Sequence, residues 1–104
     1  MKLPLSIPPE PVSLKADFKK GLDTNFRGTI PAIKQSTWAA SYLWTNYRWG
    51  LILKRYGFSW QMFMKAVRTN SLNFLRWIQG EKTWDEAIKD LITIIEEMLE
   101  EKQR

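Results

Sequence analysis

The chain has 104 residues, 44% of them hydrophobic, with 16 Lys or Arg against 11 Asp or Glu, and it contains neither Cys nor His. That length predicts one domain with a real core, and the composition excludes a disordered chain. Without Cys and His there are no thiolate nucleophiles, disulfides, zinc sites of the usual ligand types or imidazole bases. No carboxylates pair in a catalytic pattern either, so the expectation is a protein that is not an enzyme and holds no metal or cofactor.

The first twelve residues, MKLPLSIPPEPV, are proline-rich and predict an extended arm or a strap lying across the domain. As a PxxP-like segment, this arm also suits a groove on a protein partner. A short helical turn is expected around SLKADFKKGL, with Ser13 as its cap and Gly21 as its stop. Residues 1–30 thus form an arm plus a turn, and residues 31–104 a single helical domain. Gly28-Thr29-Ile30-Pro31 is expected to be a loop feeding a helix with Pro at its first position.

The helical pattern then runs over 32–56 and ends at Gly57. Lys34, Thr37, Ser41, Thr45, Arg48 and Arg55 fall on one side of it, while Trp38, Trp44, Trp49, Leu51, Ile52 and Leu53 occupy much of the rest. A helix so apolar around its circumference belongs at the centre of a bundle or against a second copy.

Ser59 caps a helix over 59–67, in which Trp60, Phe63, Met64 and Val67 keep the spacing of one buried face. Thr69 or Asn70 caps the next, over 70–79, which stops at Gly80. Thr83-Trp84-Asp85-Glu86 is a capping box opening a helix over 83–102. There Trp84, Ile88, Leu91, Ile95 and Met98 step like a coiled-coil seam, which makes 83–104 a candidate for self-association into a homodimer. No strand-like alternation occurs, so the fold class is all-α: a compact bundle of about four helices.

Lys34, Arg48, Lys54, Arg55 and Lys65 interrupt every long apolar run, so no membrane span is expected. Pro4, Pro8, Pro9 and Pro11 break the place where a secretory signal would be apolar, and a cytoplasmic location is the expectation. A membrane-surface role is disfavoured because the 32–56 helix is apolar all round and short of Lys.

Charge is distributed unevenly. Residues 31–80 carry seven Lys or Arg, no Asp or Glu, and five of the six Trp, whereas residues 81–104 carry eight acids and four bases. Cations release counterions from phosphates and aromatic rings stack on unpaired bases, so this block predicts a DNA or RNA partner. Lys34, Arg48, Arg55, Lys65, Arg68 and Arg76 are the candidate contacts. The competing expectation is a non-catalytic assembly or adaptor protein, in which Glu96, Glu97, Glu100 and Glu101 meet the basic block of a neighbouring copy. Glu97 and Glu101 share a helix face, but with no matched carboxylates on a second helix they are expected to be solvated rather than metal-bound.

Within the block, Phe63, Val67, Phe74, Trp77 and Gly80 are spaced so that the last four fall at +4, +11, +14 and +17 from the first. Residues 59–80 in this respect resemble the helix-turn-helix of phage repressors and Cro proteins. That resemblance implies Ser71, Asn73 and Arg76 as base contacts and Asn70 near a phosphate. The turn position usually held by Gly is Arg68 here, and Leu72 and Leu75 offer no hydrogen bonds to a groove.

Overall fold

The computed structural model describes residues 2–24 and 36–103. The predicted 28–31 loop, the start of the 32–56 helix and Lys34 lie outside them. The described residues are helical without a strand, and they form six helices rather than four.

The first, α1, spans Val12–Thr24 and is a full helix, not a short turn. It opens with Lys15 N–H donating to the carbonyl of Pro11, and it runs through both Ser13 and Gly21. A helical Gly costs only about 1 kcal/mol relative to Ala, which packing against a neighbouring helix outweighs. Here the Lys15 ammonium lies 5.7 Å from the ring centre of Trp77.

The long helix expected over 32–56 is broken in two. Residues 36–46 form α2, whose last five residues, Tyr42–Asn46, widen into a π-helical turn closed by Tyr47 N–H on the carbonyl of Tyr42 at 3.1 Å. Thr45 Oγ1 donates back to the carbonyl of Ser41 at 2.5 Å, a bond that bends helices. Arg48 then adopts φ 65°, and α3 begins as Trp49–Arg55. A straight helix with apolar residues on every side could not bury them all against one core. Breaking it lets Leu43, Trp49 and Leu53 turn inward together. Gly50 permits the fold-back, since a Cβ there would lie 2.7 Å from the Trp44 carbonyl oxygen and 2.9 Å from its ring.

Gly57 at φ 74° turns the chain and Phe58 is buried in the corner. Ser59 caps α4, Trp60–Thr69, its Oγ accepting from Met62 N–H at 3.2 Å as expected. A single residue, Asn70, links α4 to α5, Ser71–Ile78. Gly80 at φ 81° closes α5. The Thr83/Glu86 capping box forms as predicted, with Glu86 N–H on Thr83 Oγ1 at 3.1 Å and Thr83 N–H on Glu86 Oε1 at 3.0 Å, and α6 follows over Trp84–Gln103. The bonds from Thr83 hold the Glu86 carboxyl below its ordinary range.

Helices α4 and α5 pack on α6. Asn70 Nδ2 reaches the carbonyl of Ala87 near the start of α6, and Lys102 Nζ near its end reaches the carbonyl of Gly57, so α4 and α6 run antiparallel. Phe63, Val67, Phe74, Trp77, Ile88, Leu91 and Ile95 form the centre of this core.

Residues 2–11 lie across the bundle without helical structure. Leu3 N–H donates to Glu96 Oε2 at 2.9 Å, while Trp84 Nε1 donates to the carbonyl of Pro8 at 2.8 Å. The segment therefore runs antiparallel to α6, covering in five residues what the helix covers in twelve. Both distances come to roughly 16–18 Å, so the segment is fully extended. Trp49 Nε1 donates to the carbonyl of Ser6 at 3.0 Å, and Trp77 Nε1 to Glu10 Oε1 at 2.8 Å. Proline keeps this segment out of a helix and so leaves its carbonyls free; buried indoles need acceptors, and each need meets the other. Leu3 and Pro8 are its buried anchors.

Candidate functional site

The basic block meets the surface at three places. On α3, Leu51, Lys54 and Arg55 share one outward face by their helical spacing, and all three are exposed. On α4, Trp60, Arg68, Gln61, Lys65 and Thr69 fall in that order within about half of the helix circumference, and all are exposed. On α5, Leu72, Arg76 and Gln79 form an exposed line. Arg48 is exposed at the break between α2 and α3.

Ion pairs among the described residues join Lys15 to Glu10 at 3.5 Å and Lys82 to Asp90 at 2.5 Å. Both lie outside the block. Arg48, Lys54, Arg55, Lys65, Arg68 and Arg76 thus face solvent without a carboxylate paired to any of them among the described residues. Lys54 instead places its ammonium 5.9 Å from the ring centre of Trp44.

Trp44 joins the α3 and α4 parts of this surface. Its ring lies along α3 over Gly50, and Trp60 meets it edge-on at 5.6 Å between ring centres. Phe63 supports both rings from below, at 5.1 Å from Trp44 and 6.3 Å from Trp60. Lys54 and Trp60 therefore flank the same indole. Trp60 keeps 36% of its surface exposed and Tyr56, which ends α3, 39%. Sequence reasoning named neither Lys54 nor these aromatics as site residues. The signal that could have found them is Gly50 four residues before Lys54, a gap on the helix face into which a neighbouring ring fits.

Other predicted contacts are occupied inside the chain. Asn70, expected near a phosphate, is fully buried: its Nδ2 holds Ala87 and its Oδ1 accepts from Asn73 Nδ2 at 2.6 Å. Asn73 Oδ1 in turn accepts from Lys82 Nζ at 2.8 Å. This Asn70–Asn73–Lys82–Asp90 chain ties the α4–α5 junction to α6, and it engages both polar atoms of the Asn73 amide inside the chain. Ser71 is half-buried in the first turn of α5.

The predicted self-association seam is likewise consumed. Trp84, Ile88, Leu91 and Ile95 are buried in the chain's own core, with Met98 packed at its edge. A seam of heptad-like spacing serves a bundle within one chain as well as a coiled coil between two, and here α4, α5 and the extended segment cover it.

A cleft of about 300 Å³ lies beside Glu10, Lys15, Lys82 and Glu86, and its mixed charges favour neither sign of ligand. Among the described residues no acidic group converges to hold a metal ion, and no helix is long and apolar enough to cross a membrane. Trp38 and Tyr42 stack at 5.2 Å, and burial, with Tyr47 nearby, raises the Tyr42 hydroxyl above its ordinary range.

No protein-family model, curated protein or solved structure matches this chain. Its function must therefore be argued from its own surface.

Proposed function

We propose that this protein binds nucleic acid, without catalysing a reaction on it, through the acid-free block. The carrying observation is six exposed cations, Arg48, Lys54, Arg55, Lys65, Arg68 and Arg76, none in an ion pair among the described residues. Eight of the eleven acids gather elsewhere, on α6 and the residues leading into it. An unneutralised cationic surface suits a polyanion, whose condensed counterions are released on contact. In this reading Arg68 and Arg76, on either side of the α4–α5 junction, are backbone contacts, and Ser71 remains a polar group available to a base.

Affinity measured as a function of salt tests the proposal. If all six cations meet phosphates of a duplex, log K falls against log salt with a slope near about −5. The double variant Arg68→Glu with Arg76→Glu abolishes binding while its helical circular dichroism stays that of the parent. Binding that is insensitive to salt contradicts the proposal. A mass that rises with protein concentration at low salt in light scattering, with no oligonucleotide bound, replaces the nucleic acid with a second copy of the chain.

A further inference from the structure

Granting that reading, we infer that the corner between α3 and α4 is a stacking site for unpaired bases, so that the ligand is single-stranded nucleic acid. The corner carries two exposed aromatic side chains, Tyr56 and Trp60, on either side of the turn at Gly57. Lys54 and Arg55 stand immediately beside Tyr56 and are exposed with it. Rings that open to solvent next to unpaired cations are what a single strand needs, because its phosphates meet the charges and its bases, free of partners, lie on the rings. A duplex offers the same phosphates but keeps its bases stacked and closed to such a surface.

Two features set this corner apart from a chance exposure of apolar residues. Its turn is packed: Phe58, between the two aromatics in sequence, is buried, Lys102 donates to the carbonyl of Gly57, and Trp60 leans on Trp44 and Phe63. A ring already packed on neighbours, as that of Trp60 is, loses little freedom when a base settles on it. By helical spacing the acids near the end of α6 also turn from it to differing degrees: Leu99 and Lys102 share the side of α6 that meets the core and the corner, whereas Glu101 lies about 100°, Glu96 about 120°, Glu97 about 140° and Glu100 about 160° around the helix from Lys102. Trp60 donates its indole N–H to no acceptor among the described residues, so that N–H stays free to donate to a base or a phosphate.

The test uses the full chain, with fluorescence anisotropy of a labelled oligothymidylate and of a mixed-sequence blunt duplex in the same buffer. The single strand is expected to bind at least about tenfold tighter than the duplex. Tyr56→Ala, which removes a ring with no aromatic neighbour among the described residues, lowers single-strand affinity about tenfold and leaves duplex affinity and the salt slope unchanged. Trp60→Phe retains a stacking face and most of the affinity, while Trp60→Ala loses it, with thermal melting run on each to show that the fold survives. Equal binding of both ligands, or variants that weaken both alike, overturns the stacking site and leaves the phosphate-binding surface standing. Binding of neither ligand at low salt overturns both.

Discussion

Five of the six tryptophans fall into two groups. Trp49, Trp77 and Trp84 are buried, and each donates its indole N–H to the extended N-terminal segment. Trp44 and Trp60 sit at the α3–α4 corner, partly open to water, in contact with each other and without an acceptor among the described residues. One residue type thus does opposite work in one chain. Where every polar atom is paired, the ring is a structural part; where an edge and a face remain open beside cations, it is available to something outside.

Substitutions should separate the two groups sharply. The largest effect is expected from Trp77→Ala, which empties a fully buried site and leaves Glu10 without its indole partner; a loss of about 3–5 kcal/mol in urea unfolding is expected. Trp60→Ala should cost about 1 kcal/mol or less by the same measurement, as for other surface changes, and equal losses at the two positions would erase the distinction.

Gly50→Ala comes next. Its added Cβ meets the backbone and ring of Trp44, so the corner must shift, at a cost of about 1–3 kcal/mol. If the shift moves Trp60 as well, the tryptophan emission should change and single-strand affinity should fall with it.

Arg48→Gly is expected to act in two directions. Relief of a left-handed non-glycine residue should raise stability by about 1 kcal/mol, and removal of one cation should reduce the salt slope of polyanion binding by about one. A variant that is more stable and binds more weakly would separate fold from surface at a single position.

The smallest effect concerns acid. The Glu86 carboxyl is held below its ordinary range by Thr83, so its contribution to stability is fully present above the unfolded value of about 4.3. It is lost as pH falls through the lower folded value. Glu86→Gln should flatten that part of the stability profile and leave the tryptophans of both groups undisturbed.

Local signals were legible in the sequence wherever a side chain acts on its own helix. Ser59, the Thr83/Glu86 box and Gly80 mark helix ends by chemistry confined to a few residues, and all three stand where that chemistry puts them. The 32–56 pattern misled because periodicity reports which residues are apolar, not whether the helix stays straight, and the break at Arg48 involves a residue with no turn signature. The seam on α6 was visible as a seam, but heptad spacing carries no information on whether its partner belongs to the same chain. The candidate surface was half legible. Its charge could be counted, whereas the meeting of Trp44, Lys54 and Trp60 depends on a fold-back that only the folded chain reveals. Asn70 and Asn73 were read as surface groups because polar residues at a helix start usually are, and the Lys82–Asp90 pair that engages Asn73 lies farther along the chain.

The extended segment has a consequence for how the protein is made. Leu3 bonds to Glu96 across 93 positions, and Pro8 waits for Trp84 across 76. Since chains grow at about 5–20 residues per second, the segment leaves the ribosome roughly 4–15 s before Trp84 does. During that interval its prolines keep it from joining any helix. Docking of Leu3 and Pro8 therefore waits for α6, and a chain that stops short of Trp84 would leave Pro8 without the indole that holds it.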